Sequence, residues 1–332
     1  MKPLRTAILG CGGFAHRHAG NIVKHPDELE FVAFCDHHAE NAEKFAATYA
    51  AGAAIHTDAH ALLEQEALDL LVICLPPFAH TDEVEAAAAR GVHILMEKPI
   101  ALTMEHAWRM VAAAEAAGIQ TQVGFMFRFG AAVEEMKRLI TSGEAGQPGL
   151  MSARYFCNSL HAPWWRMRNK SGGQLVEQVI HMVDLMRYLL GEPASIFSRQ
   201  QNLFHQQTPD YTVEDVSATI VSFVSGALGV IYATNGAIPN RWINDYRVVT
   251  QAITADFANA NSATFHFTQQ AGREPLVIAE ERNIHEAELL DLVHAIRHGG
   301  STRTPLRAGA LSLELALAAT RSAQERREIA LG

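Results

Sequence analysis

Near the start of the chain an apolar run, Ala7-Ile8-Leu9, leads into Gly10-Cys11-Gly12-Gly13-Phe14-Ala15, and a helical pattern follows. This G-x-G-x-x-G/A spacing, with Ala15 in the third position, constrains the fold more than any other stretch. Gly10 permits a tight turn, Gly12 lets the backbone approach a pyrophosphate, and the small Ala15 lets helix and sheet pack closely. Gly13 and Phe14 complete the turn, and the helix N-terminus offers amide donors to an anion. The next apolar run ends in Asp36, about 20 residues on, where a carboxylate accepts hydrogen bonds from an adenosine ribose. A glycine turn in an unrelated α/β sheet is the competing explanation. If the ligand is a dinucleotide, Asp36 favours NAD over NADP. Its charge repels a 2′-phosphate, and His37 and His38 follow it rather than an arginine.

The rhythm of the chain agrees with a doubly wound parallel sheet. Strand candidates at 6–9, 30–35, 53–56, 68–75, 93–96 and 120–123 alternate with Ala-, Glu- and Leu-rich helical segments such as 81–90 and 104–117, which stop at Gly91 and Gly118. The expected first domain is therefore 1–123, an α/β Rossmann domain. Beyond it, helices at 131–142 and 173–190 enclose a strand at 150–156. Runs at 196–203, 213–224, 227–233 and 246–257 then follow one another without intervening helices. That pattern predicts an α+β domain over 124–332 with a large, mostly antiparallel sheet. Helices at 284–297 and 308–325 close the chain, the last of them a candidate to pack back on the first domain.

Composition excludes several function classes. The 332 residues carry 27 Lys+Arg against 36 Asp+Glu, a net charge of −9, which argues against a nucleic-acid backbone binder. No run approaches the roughly 18 apolar residues of a membrane span. Cys11, Cys35, Cys74 and Cys157 are scattered without a C-x-x-C pair. Neither a disulfide framework nor a metal site is expected, and a cytoplasmic location follows.

Three later segments carry candidate chemistry. Leu75-Pro76-Pro77-Phe78-Ala79-His80 ends the fourth strand, at the carboxyl edge where ligands of such sheets bind. Leu75, Pro76 and His80 are therefore cofactor-site candidates, with a plain proline turn as the alternative. Glu97-Lys98-Pro99 ends the fifth strand and faces the same edge. Lys98 there suits a developing alkoxide. In Gly172-Gly173-Gln174-Leu175-Val176-Glu177-Gln178-Val179-Ile180-His181-Met182-Val183-Asp184, helical spacing puts Glu177, His181 and Asp184 on one face. Such a row in an apolar helix is costly unless its members are paired or used.

These residues together resemble the glucose–fructose oxidoreductase, inositol dehydrogenase and rhizopine-catabolism (Gfo/Idh/MocA) family. The likeness rests on Gly10–Ala15, Glu97-Lys98-Pro99, the 172–184 segment and the closing helix, and so covers nearly the whole chain. It implies NAD as cofactor and hydride transfer to or from a hydroxyl-bearing carbon of a sugar, inositol or related polyol. Lys98 matches the family's lysine and His181 its acid/base histidine. Glu177 stands where the family usually has aspartate, one methylene shorter, and Val179 replaces an often small residue. Glu97 and Lys98 also fall at the cofactor edge. Asp184 orients His181 or serves the helix structurally.

Between the domains, Arg128 is a substrate-site candidate or a brace. Trp164 and Arg166, in Pro163-Trp164-Trp165-Arg166, are candidates for covering a sugar face and binding an anionic group. Asn235, Arg241 and Trp242 lie in a polar loop that could reach a substrate or a partner subunit. The family likeness also implies a homodimer or homotetramer. Two competing functions are an NAD-dependent redox-assisted glycosidase and a non-catalytic NAD-binding sensor. Intact Lys98 and His181 speak against the sensor.

Overall fold

The computed structural model describes residues 2–331. The chain forms two compact units. One runs through Gly124 and takes in Asn283–Ala310, and the other comprises Phe125–Arg282 and the chain from Leu311 onward.

The first unit is built on six parallel strands: β1 (Leu4–Leu9), β2 (Leu29–Cys35), β3 (Ala54–His56), β4 (Leu70–Ile73), β5 (His93–Met96) and β6 (Thr121–Val123). Their order is β3-β2-β1-β4-β5-β6. Every residue of β4 is buried, as expected for strands covered on both faces. Strand order reverses beside β1, which places the switch point, and hence the ligand crevice, at the carboxyl ends of β1 and β4. The helix Ile284–His298 belongs to this unit. Its Leu289, Leu292 and Val293 join a core with Ile8, Leu29, Phe34 and Phe45. The following segment is stitched to β6 by Val123 N–H to Thr304 O at 2.7 Å and Thr304 Oγ1 to Val123 O at 2.8 Å.

The second unit carries a nine-stranded sheet. Its strands are β7 (Pro148–Phe156), β8 (Pro193–Gln201), β9 (Val216–Phe223), β10 (Leu228–Thr234), β11 (Tyr246–Thr250), β12 (Ile253–Asn259), β13 (Ser262–Phe267), β14 (Leu276–Ala279) and β15 (Ile329–Ala330). The order is β14-β13-β12-β11-β7-β10-β9-β8-β15. Only the pairing of β7 with β10 is parallel among these neighbours. The helix Ile180–Leu190, buried at every residue but Tyr188, packs on β7 and β10. The opposite face of the sheet stays open and exposes Ile220, Leu228 and Tyr232.

Two expectations need correction. The run 246–257 is not one strand but the hairpin β11–β12. No glycine or proline marks its turn, because the Thr250 hydroxyl closes it by accepting the Ile253 N–H at 3.1 Å. The helix expected over 173–190 is not continuous α-helix either. Residues Leu175–Val179 are π-helical, and the α-helix begins at Ile180. A π turn spans one more residue per hydrogen bond and is frequent at functional sites. Here its start is fixed from outside the helix. The Glu214 carboxylate accepts the Leu175 N–H at 2.7 Å and pairs with Arg168 at 2.7 Å. Gly173 suits its left-handed backbone (φ +111°), and a Cβ there would crowd the Glu214 carboxylate at 2.6 Å. No helix among the described residues is long and apolar enough to cross a membrane.

Candidate active site

In the first unit the glycine turn is packed on one side and open on the other. Gly10 has φ +90°, and a Cβ on it would lie 2.8 Å from the Cys74 carbonyl oxygen. No atom comes within 4 Å of a Cβ placed on Gly12 or Gly13, so the backbone there is open to a ligand. Phe14 is exposed and precedes the helix Ala15–Ile22. Asp36, 7% exposed, is held at the tip of β2. Its Oδ2 accepts the Cys11 N–H at 2.9 Å, and Oδ1 accepts the His38 N–H at 3.0 Å. The carboxylate is thus tied to the glycine turn itself. His37 Nδ1 lies 3.4 Å from Asp36 Oδ1, with its side chain largely in solvent. Open glycines beside an anchored carboxylate fit NAD: Gly12 and Gly13 would lie against its pyrophosphate, and Asp36 would accept from its ribose.

The neighbouring strand ends differ in character. Leu75 and Pro76 are half-buried after β4, and a single turn over Pro77–Ala79 follows. His80 faces its own turn, with Nδ1 at 2.5 Å from Glu83 Oε1, while the Thr81 N–H binds Glu83 Oε2 at 2.8 Å. Burial alone would raise the Glu83 pKa, but His80 and the Thr81 amide outweigh it and hold the carboxyl at about 2. In this arrangement His80 closes the loop that Leu75 and Pro76 begin.

Glu97, at the end of β5, forms the centre of a buried cluster that the sequence reading missed. His18 Nε2 is 2.7 Å from Glu97 Oε1, and a Cβ on Gly124 would lie 2.8 Å from Glu97 Oε2. Burial works against the charge. Pairing with His18, and the nearby Lys98 and His285, nonetheless hold the Glu97 carboxyl below its ordinary range. His285 is pushed down to about 4, chiefly by burial. The Phe14 ring meets both imidazoles edge-on, His18 at 5.6 Å and His285 at 5.7 Å between centroids. His18 was within reach of sequence reasoning, since it lies one helical turn past Phe14. His285 had no local signal, because only tertiary folding brings its helix to this edge. Lys98, half-buried, directly follows Glu97.

The second unit presents the other candidates. His181 is 6% exposed and flanked by Phe125 and Phe127, with ring centroids at 6.3 and 5.3 Å. Glu177, half-buried on the π turn, accepts the indole N–H of Trp165. Asp184 points to Arg128 in a bidentate pair, Nε to Oδ2 at 2.7 Å and Nη2 to Oδ1 at 2.5 Å, and also accepts from Ser312 Oγ at 3.0 Å. Both partners are buried, and the guanidinium stacks over the Tyr188 ring at 4.6 Å. Arg128 and Asp184 thus come together as a brace behind the helix. Arg166 binds the carbonyls of Leu160 at 2.9 Å and His161 at 3.1 Å, which ties down its own loop. Trp164 packs against the cluster of Trp165, Tyr211 and Val213. Asn235 is fully buried and bonds Tyr211 and Gln174, whereas Trp242 is exposed beside Tyr155 and His161. Chemically, the second unit offers an imidazole in an apolar setting and a carboxylate one turn away. The first offers an ammonium group at a dinucleotide edge.

Comparison with known proteins bears on this arrangement. Residues 4–125 match the GFO/IDH/MocA oxidoreductase family, NAD-binding Rossmann fold, and residues 133–256 match the GFO/IDH/MocA C-terminal domain. The chain is 28% identical over 323 residues to the scyllo-inositol 2-dehydrogenase (NAD(+)) of Bacillus subtilis, covering 96% of this chain and 94% of that protein. It is 29% identical over 350 residues to the D-apiose dehydrogenase of Paraburkholderia graminis, covering 100% of this chain and 90% of that one. Among solved structures it is similar to the WlbA dehydrogenase from Bordetella pertussis in complex with NADH and UDP-GlcNAcA. There the TM-score is 0.86 at 26% identity, with 99% of each chain covered.

Proposed function

This chain belongs to the GFO/IDH/MocA oxidoreductase family, and from that premise we propose that it oxidises a secondary hydroxyl of a cyclic polyol or sugar. It is an NAD-dependent oxidoreductase acting on CH–OH groups. The carrying observation is the helix of the second unit, where a buried imidazole at His181 follows a carboxylate at Glu177 that is already held by Trp165.

Bound NAD supplies the hydride acceptor for oxidation and the donor for the reverse reaction. In this reading His181 takes the proton of the reacting hydroxyl, and its phenylalanine neighbours keep water from competing for the base. The Lys98 ammonium donates a hydrogen bond to the same oxygen and stabilises negative charge as it develops. Glu177 accepts a hydrogen bond from an adjacent hydroxyl and so selects the carbon presented for reaction. Glu97 keeps Lys98 at the strand end, and Gly12, Gly13 and Asp36 hold the dinucleotide. Trp164 and Arg166 shape the loop over the substrate side, and Arg128 supports the helix through Asp184. The exposed Ile220, Leu228 and Tyr232 supply an apolar face for a homodimer or homotetramer.

The test is a panel of inositols, aldoses and uronic acids incubated with NAD⁺ while NADH absorbance is followed. A cyclic polyol or sugar that gives sustained NADH supports the reading. Release of an aglycone without net NADH would replace it with redox-assisted glycoside cleavage.

A further inference from the structure

Trp165 is 2% exposed, and its side chain has one polar atom, the indole N–H, which only donates. A buried indole N–H needs an acceptor, and here the acceptor is Glu177 Oε2. The indole itself cannot move easily. The His161 ring lies against it at 4.5 Å, the Tyr211 ring at 6.4 Å, and Val213 completes the contact. Those neighbours are in turn bonded to residues flanking Glu177 on the same helix. His161 Nε2 meets Gln178 Nε2 at 2.8 Å. The Tyr211 hydroxyl accepts from Asn235 Nδ2 at 2.9 Å, and Asn235 Oδ1 accepts from Gln174 Nε2 at 2.5 Å. The π turn is therefore gripped before and after Glu177, with Trp165 at the middle of the grip. Tyr155 and Cys157 lie close enough for the Glu177 charge to add to their burial in keeping them protonated.

We propose that Trp165 is a positioning residue for Glu177, and that the pair rather than the carboxylate alone determines which substrate hydroxyl is recognised. This deepens the reading above and rests on it. The terminal torsion of a glutamate is broad, so an untethered carboxylate turns toward hydroxyls in several orientations. Fixing one oxygen with an immobile donor fixes the direction in which the other accepts. That geometry discriminates between epimers of a ring polyol, which differ only in where a hydroxyl points. It also accounts for the length of the side chain at 177. An aspartate, one methylene shorter on the same backbone, withdraws from the indole N–H and leaves it buried without its acceptor.

The experiment compares wild type, Trp165→Phe, Glu177→Asp and the double variant with scyllo-inositol, myo-inositol and D-glucose as probes, alongside NADH affinity by fluorescence. Each single variant should raise KM for the preferred probe about tenfold or more while kcat stays within about threefold, because the lost contact serves ground and transition states alike. The KM ratio between the two inositols should collapse toward one, and NADH affinity should not move. In the double variant the effects should fail to multiply, since either change alone already breaks the pair. Independent multiplying effects, or a Trp165→Phe enzyme with wild-type KM and epimer ratio, would overturn the proposal.

A second readout needs no turnover. The Trp165 indole N–H proton resonance in ¹⁵N-labelled holoenzyme should lie downfield and move upfield in Glu177→Gln and Glu177→Asp. If wild type binds NADH but oxidises no probe, the cyclic-polyol and sugar substrate reading fails while this resonance still decides whether the pair exists. An indole resonance indifferent to position 177 would sink the pair on its own. Should Trp165→Phe not fold, the Glu177 variants read the same bond from its other end.

Discussion

The two units hold their polar groups in opposite ways. In the first, the residues that fit NAD sit at the tips of consecutive parallel strands and are fixed by near neighbours in the fold. Asp36 bonds the Cys11 amide of the adjacent turn, and His80 bonds Glu83 three residues away. In the second, the candidate residues lie on one largely buried helix, several of whose polar groups are tied to distant parts of the chain. Asp184 is tied to Arg128, Gln174 to Asn235, and the amide of Leu175 to Glu214. Apart from Glu97, which reaches His18 across the fold, the contacts of the first arrangement link adjacent strand ends or residues of one turn. The second is a buried network, and losing one member leaves another buried and unsatisfied. Substitutions in the cofactor unit should therefore alter binding, whereas those around the helix should alter catalysis or stability out of proportion to their size.

The strongest way to separate the halves is His181→Ala. General acid–base catalysis by a positioned side chain contributes about 10²- to 10⁴-fold, and kcat should fall by that order while NADH affinity changes less than about twofold. Steady-state kinetics with NADH titration by fluorescence checks both arms. Turnover near wild type would remove the acid/base role from position 181. Next in size is Arg128→Met, which leaves Asp184 buried without its bidentate partner. Breaking such a pair costs about 3–5 kcal/mol, read as a lower midpoint in urea unfolding. Arg128→Met with Asp184→Leu should recover much of that loss, because two apolar groups replace both buried charges. No recovery would mean that Asp184 serves something other than Arg128 and Ser312.

The same contrast explains what was legible beforehand. The places of the glycine turn, Asp36 and Glu97-Lys98 at strand ends could be read, because the strand pattern sets them locally. The parallel sheet and its strands followed from period and punctuation alone. The π turn could not be read, since the Glu214 carboxylate that binds its first amide lies far from it in sequence. The split of 246–257 into a hairpin was hidden for a related reason. A threonine hydroxyl closes that turn, and threonine is equally at home inside a strand. Pairing of Arg128 with Asp184 was likewise invisible, although both residues had been singled out separately. His285 reaches Glu97 only because its helix folds back on the first unit's sheet.

His285 offers a finer probe of the first unit. Its folded pKa of about 4 lies below the ordinary histidine value near 6.5. Between those values the unfolded chain binds a proton that the folded chain does not. Stability should therefore fall as pH drops from about 6.5 to about 4, by up to roughly 3 kcal/mol from this group. The charged groups around it are Glu97, which favours its protonation, and Arg17 and His18, which oppose it. His285→Phe keeps an aromatic partner for Phe14 and should flatten the slope in that window. Glu97, whose own pKa is depressed, would still lower stability at more acid pH. An unchanged slope in His285→Phe would assign the loss to another histidine.

The smallest effect is expected at Asp36, where the proposed ribose contact and the turn structure share one carboxylate. Hydrogen bonds to a charged group contribute about 1.5–3 kcal/mol, so Asp36→Ala should weaken NADH binding by roughly ten- to a hundredfold. The variant loses more than ribose contacts, however, because the Cys11 amide also gives up its acceptor. Asp36→Asn separates these contributions. The asparagine oxygen can still accept the Cys11 N–H, while the negative charge that repels a 2′-phosphate is gone. Discrimination against NADPH should therefore relax in both variants, but NADH affinity should suffer less in the asparagine. Equal losses would mean that the charge holds the turn as well as the ribose. A wild-type enzyme with at least about tenfold better kcat/KM for NADPH would contradict the assignment of this carboxylate altogether.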